Sequence, residues 1–420
     1  MSTMTSKLRR TMLFGVVGTL VALGGVRMVR ADVASDKPGA ILIFPKIVVD
    51  TSGVLGPPTD TEIQITNTSN SVIAARCFII DDTQHCSNSP STACTAQLAA
   101  NGAALNEGGC GAGGICGGPC SPRVHENDFR ITLTKRQPIS WKASEGLSSL
   151  PCGSGISAPS GGCTGGQSNG SSSIPGVQEV PFFGEIKCVE VGPDDFLPTV
   201  GLDPANNNAG DLKGEATIIS TSGILVDARK YNGIGIQSTG ANNRDGNLVL
   251  GGATPEYNGC PKVIVLDSFF DNAEVVTHGS AALSETVITD LTVVPCSEDL
   301  LSQTPTSATL QFLVFNEFEQ KFSTSTSFSC FKEVQLSDID SRPGSFGNAQ
   351  SIFNAAMQGT LSGQTRIRPV PSATSDNRIL AVSEAFWTCT SGPGGTCSAA
   401  SNVNIIPGGG IGDQLSIPLD

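Results

Sequence analysis

Glu317 and Glu319 are the residues of this chain whose type and spacing come nearest to a catalytic pair. In Phe315-Asn-Glu-Phe-Glu-Gln320 they stand two positions apart, so on a strand both carboxylates would project from one face, about 7 Å apart. Glycoside hydrolysis uses two carboxylates separated by about 5–9.5 Å. An exported, carboxylate-dependent, glycosidase-like hydrolase is therefore one expectation. The other places both carboxylates in water, where they avoid the cost of desolvation, while Phe315, Phe318 and Phe322 share the work of the core.

Asp203, Asp211, Asn243 and Asp245 supply the hard oxygen ligands that calcium prefers, and structural calcium is the one cofactor these residues suggest. The second segment departs from an EF-type loop, because Ala241 stands where the first Asp should be and no Glu closes it. Surface turns also favour Asp, Asn and Gly without any ion. The three histidines, His85, His125 and His278, form no H-E-x-x-H pair. His85, beside Cys86 and close to Asp81 and Asp82, belongs to the one cluster with metal-ligand residue types.

Other motifs fail on context. Gly166-Gln-Ser168-Asn-Gly170 spells a hydrolase elbow, but both flanks are Gly/Ser-rich where the elbow needs a strand and a helix. Gly109 to Gly114 fits G-x-G-x-x-G without a βαβ unit around it. Two Trp and two Tyr are too few for the stacking platforms of a lectin.

Compartment is read from the first 31 residues. Lys7, Arg9 and Arg10 precede an apolar run from Met12 to Gly25, and Val29-Arg30-Ala31 offers a small-residue cleavage site, which together read as a secretory signal peptide. The run is too short to span a bilayer, and no second long apolar run follows. The expectation is a secreted, periplasmic or cell-surface protein with no membrane span after leader removal. Lys and Arg number 25 against 38 Asp and Glu. The leader holds five of those basic residues and no acid, leaving the remainder near −18. Sparse, interspersed basic residues exclude the clustered charge that a nucleic-acid backbone requires.

Fourteen cysteines in an exported chain read as disulfides. Cys152 with Cys163, and Cys389 with Cys397, are each other's nearest partners across short Gly/Ser-rich loops, and closing such a loop stabilises by roughly 2–3 kcal/mol.

The elements that must position all of this are strands. Gly at 49, Pro at 25 and only 15% charged residues fit many short strands joined by turns. β-Branched and aromatic runs over 40–49, 61–66, 72–80, 129–134, 180–191, 216–219, 224–228, 262–270, 286–294 and 309–315 are each bounded by turn residues. Glu62-Ile63-Gln64-Ile65-Thr66 alternates, which puts both isoleucines on one face. Residues 349–361 carry helical spacing in Ile352, Phe353, Ala356, Met357 and Thr360, with Gly363 as a stop.

The expected fold is thus all-β: two antiparallel β-sandwich-like domains, 36–280 and 281–420, with one short helix and long disulfide-stapled Gly/Ser-rich loops. Two cysteine-rich insertions, 82–127 and 143–178, interrupt the first domain. An echo supports the division. Thr61 to Asn67 running into Val72 to Phe78, and Thr309 to Asn316 running into Phe328 to Phe331, both read as a strand ending in Asn, a polar turn, and a strand ending Cys-Phe. The boundary then falls in the polar stretch Asp271 to Glu285. A single extended sandwich or a solenoid is the runner-up. The functional expectation is a secreted or cell-surface structural or interaction protein without catalysis, meeting a protein or surface partner.

Overall fold

The computed structural model describes residues 33–54, 56–86, 89–93, 120–122, 125–147, 174–192, 197–198, 202–203, 208–240, 243–269, 273–276, 284–340, 342–343, 349–354, 360, 362–389, 395–408 and 410–419. The chain divides at Ala31–Asp32, and everything described lies in the unit Asp32–Asp420. That unit is all-β. Five sheets supply its three cores.

The central sheet has six strands in the order Val33–Ala34, Ile234–Ile236, Ile41–Val49, Phe182–Val191, Ile73–Asp81, His125–Leu133. Its middle strands explain the unbroken apolar runs of the sequence, since Ile41–Val49, Ile73–Asp81 and Phe182–Val191 are buried at every position. A strand covered on both faces has no polar side to alternate with. On one face lies the four-stranded sheet Leu225–Asn232, Leu212–Ser222, Thr59–Asn67, Pro138–Lys142. Here alternation returns, and Ile63 and Ile65 of Thr59–Asn67 share the core with Leu42, Phe44, Ile186 and Trp141. The opposite face packs Ile41, Ile43, Phe78 and Val189 against Leu248, Tyr257, Val294, Leu380 and Leu415.

A third core lies between two five-stranded sheets. One runs Lys321–Ser329, Ser307–Asn316, Gly363–Pro369, Val263–Phe269, Asn404–Ile406. In the other, Ser284–Pro295 is flanked by Ile379–Cys389 on one side and by Ala273–Val276 and Lys332–Gln335 on the other, and Gly395–Asn402 pairs with Ile379–Cys389. The fifth sheet joins Asn247–Leu250, Asp413–Ser416 and Glu298–Asp299.

Two separate sandwich domains divided at residue 280 do not describe this arrangement. Val263–Phe269 is an inner strand of a sheet otherwise built from residues beyond 280, and Asn247–Leu250 pairs with Asp413–Ser416. The Cys260–Cys296 disulfide crosses the same point. The polar stretch taken for a boundary is a strand pairing, Ala273–Val276 with Ser284–Val287. The hairpin echo is also corrected: Ser307–Asn316 and Lys321–Ser329 form a hairpin, whereas Thr59–Asn67 and Ile73–Asp81 belong to different sheets. What the two segments share is the asparagine. Asn67 Oδ1 accepts the Ser69 N–H, and Asn316 Oδ1 accepts those of Phe318 and Gln320, so each side chain imposes the bend that follows it.

Among the described residues there is no α-helix; the one helical turn is a 3-10 turn at Leu336–Asp338. The helix expected over 349–361 begins instead as the strand Ala349–Gln350 followed by a turn, and residues 355–359 and 361 lie outside the described residues. The apolar spacing there marks a plug. Phe353 is buried with its ring 5.9 Å from Phe269 and 5.6 Å from Phe312, and Ile352 packs on the same core. No helix among the described residues is long and apolar enough to cross a membrane.

Candidate functional site

The first insertion leaves and returns at one end of the central sheet, and the second, which leaves after Pro138–Lys142 of the four-stranded sheet, returns to the same end. In register, Asp81 faces His125 on one neighbouring strand and Gly184 on the other. The end of Ile73–Asp81, where the first insertion leaves, the start of His125–Leu133, where it returns, and the start of Phe182–Val191, where the second returns, therefore stand side by side. A Cβ at Gly184 would lie 2.0 Å from the Ile80 carbonyl oxygen, so glycine allows this close approach. The first insertion, expected as a long loop, has a three-stranded ribbon at its base, Ser89–Ala93, Gln84–Cys86 and Cys120–Pro122. Leu147 and Ile174 pair across the base of the second.

The junction carries Asp81, His85 and Glu179. His85 Nε2 lies 2.7 Å from Glu179 Oε1, and one ligand atom from each of the three residues falls within 4.8 Å of the others. Asp81 and His85 are buried and Glu179 is half-buried. The turn between them is fixed locally: the Thr83 N–H donates to Asp81 Oδ1 at 3.0 Å, and the Phe183 N–H donates to Thr83 Oγ1 at 3.0 Å. Burial, reinforced by the Glu179 charge, pushes the Asp81 carboxyl up to about 6.

The interior also holds buried, paired charge. Lys187 is 0% exposed; its Nζ lies 3.0 Å from Glu185 Oε1, donates to the Pro295 carbonyl at 3.3 Å, and pairs with Glu298. Burial pulls the Lys187 ammonium down, but Glu185 and Glu298 outweigh it and hold it above the ordinary lysine value. Burial, against the pull of Lys187, pushes Glu185 up to about 8. Asp82 is 1% exposed with neither carboxylate oxygen hydrogen-bonded, and burial with the charges of Glu185 and Glu298 raises it well above the usual range.

A second network has the same design. Lys46 Nζ meets Glu333 at 2.6 Å and also pairs with Glu384. Arg229 Nε lies 2.9 Å from the other oxygen of Glu384. Burial raises Glu384, but Lys46 and Arg229 prevail and hold its carboxyl below the ordinary value. Lys46, Glu185 and Lys187 lie in the central sheet, whereas Glu298, Glu333 and Glu384 come from beyond residue 280. The two networks therefore bridge the segments the sequence seemed to divide.

The sequence-derived site residues fall elsewhere. Glu317 and Glu319 do not project from a strand: they occupy the exposed turn after Ser307–Asn316. Glu319 has φ +60°, and Glu317 Oε1 accepts the N–H and hydroxyl of Ser362. Phe318, expected in the core, is 65% exposed. Neither glutamate lines the nearby hollow of about 530 Å³, which is formed by Gln311–Leu313, Ser323–Ser325, Arg366 and Arg368.

The calcium candidates are scattered in role. Asn243 and Asp245 hydrogen-bond each other in an exposed turn, and the Asn243 N–H donates to Glu256. Asp211 is buried, with its N–H donated to Glu190 Oε2 at 3.0 Å. The side chain of Asp203 lies outside the described residues. Cys152 and Cys163 lie outside them too, as do the side chains of Cys389 and Cys397, whose backbones sit on the paired strands Ile379–Cys389 and Gly395–Asn402. The described disulfides are Cys77–Cys188 and Cys260–Cys296. Cys330 is a free buried cysteine whose thiol burial holds protonated.

Glu190 provides a pH-dependent test of this interior. Burial, then the neighbouring Asp211 charge, pushes it up to about 8. Between its unfolded value near 4.5 and about 8 the native state holds the proton that the unfolded chain releases, so this group's contribution to stability is complete below that window and is lost as pH rises through it. Glu190→Gln should therefore stabilise the protein by about 1–3 kcal/mol at pH 8 and by under about 0.5 at pH 4.5. Urea unfolding at both pH values measures this; an equal difference at the two would contradict it.

At the junction the His85 imidazole faces the Glu179 carboxylate, and deeper in, the Lys187 ammonium faces Glu185 and Glu298. Compared with known protein families and with curated proteins, the chain matches none.

Proposed function

We propose that this is an exported structural or interaction protein, secreted, periplasmic or displayed at a cell surface, which presents its two cysteine-rich insertions to a protein or surface partner and catalyses no reaction. The observation that carries the reading is that both ends of the first insertion and the return of the second lie on neighbouring strand ends of the central sheet. A rigid support with long loops at one end is a usual way of building a recognition surface. Val33–Ala34 belongs to the central sheet. Cleavage after Ala31 removes the leader and keeps that strand.

Expression of the full chain in a secreting host should give an exported protein whose N-terminal residue is Asp32. Cross-linking of that protein to the surface or periplasmic fraction should place the links on peptides from 82–127 and 143–178. Links distributed evenly over the scaffold would contradict the binding face. A hydrolytic activity that disappears in Glu317→Gln with Glu319→Gln would replace the reading with the hydrolase.

A further inference from the structure

We propose that Asp81, His85 and Glu179 bind one divalent cation of the zinc class, which ties the roots of the two insertions together. The donor set is one imidazole nitrogen and two carboxylate oxygens drawn from three separate segments: the end of a central strand, the ribbon of the first insertion, and the residue run leading into Phe182–Val191. Zinc sites use these ligand types at about 2.0–2.2 Å in tetrahedral geometry, which places ligand atoms roughly 3.3–3.6 Å apart. The three donors already lie within 4.8 Å of one another, so small side-chain rotations suffice. Imidazole among the ligands favours a transition metal over calcium or magnesium, which prefer oxygen alone. The Thr83 N–H on Asp81 Oδ1 orients one ligand from behind, as outer-shell donors do at metal sites.

Asp81 and His85 are buried and Glu179 is half-buried, so the three donors meet at the rim of the interior rather than in open solvent. The proposal does not rest on the identity of any partner, since the site is built wholly within the chain.

The test uses the full exported protein, stripped with a chelator and titrated with Zn²⁺ by calorimetry, with Co²⁺ as a spectroscopic probe. One equivalent of Zn²⁺ should bind per chain. His85→Ala and Glu179→Gln should each weaken binding by at least the roughly 10–100-fold that loss of an outer-shell partner costs, while Glu145→Gln, exposed at the start of the second insertion, should not change it. Glu179 is partly exposed, so Glu179→Gln keeps the test valid if His85→Ala fails to fold. The Co²⁺ form should show nitrogen and oxygen coordination. Unchanged Zn²⁺ affinity in folded Glu179→Gln, a thiolate-to-cobalt absorption, or equal competition by Ca²⁺ would each overturn the proposal.

Discussion

Replacing Lys187 with methionine is expected to destabilise the fold by about 3–5 kcal/mol, the usual consequence of removing one partner from a buried ion pair. Methionine fills similar space, so the loss is electrostatic. Glu185 and Glu298 lose the ammonium between them, and Asp82 loses the one positive charge in its surroundings. The sign with pH follows. At low pH Glu185 and Asp82, both raised by burial, hold protons and the variant approaches the parent, whereas at pH 8 the full loss appears. Adding Glu298→Gln should restore part of the stability, because it removes one of the stranded charges. Urea unfolding of both variants at pH 5 and pH 8 reads these differences; a loss under about 1 kcal/mol at pH 8 would mean that the interior accommodates the carboxylates by other means.

The second large effect belongs to Cys77–Cys188. The two cysteines stand opposite each other on neighbouring central strands with Cα atoms 4.0 Å apart, and they close a segment of 111 residues that contains both insertions. For a loop of about 100 residues the chain-entropy argument gives about 4.7 kcal/mol, and loss of native disulfides commonly costs about 2–5 kcal/mol. Cys77→Ala with Cys188→Ala should lower stability by that amount. The loss should be the same at pH 5 and pH 8, which separates it from the Lys187 variant. A double variant as stable as the parent would show that the two strands hold the insertion roots unaided.

Most strands can be read from local pattern, because β-branched runs bounded by turn residues are a short-range signal. The structure extends several of them, Thr61–Thr66 to Thr59–Asn67 and Phe129–Thr134 to His125–Leu133. The strands that escape are polar on their outward faces. Lys321–Ser329 alternates Ser with half-buried Phe322, Thr324 and Thr326 and buries only Phe328, Gly363–Pro369 buries only Thr365 and Ile367, and Gly395–Asn402 is built of small and polar residues. None has an apolar run to announce it. The ionic networks are harder still, since Lys46 and Glu384 are 338 residues apart. A usable hint was present: Lys46 interrupts Ile41–Val49, and Glu185, Lys187 and Glu190 interrupt Phe182–Val191, two otherwise apolar strands. A charge inside such a run must find a partner in the core. The Asp81–His85–Glu179 junction was half legible, through His85 and Asp81; Glu179 lies 94 residues from His85 and reaches it only through the sheet.

Buried charges join the segments on either side of residue 280 into one scaffold. Hydrogen exchange followed by mass spectrometry in increasing urea tests this most directly, because it reports on strands from both sides of residue 280 in one experiment. Peptides covering Ile73–Asp81 and Phe182–Val191 should lose protection at the same urea concentration as peptides covering Ser307–Asn316 and Ile379–Cys389, as expected of a single cooperative unit. Two well-separated midpoints, one for each set of strands, would contradict the account and restore two independent domains.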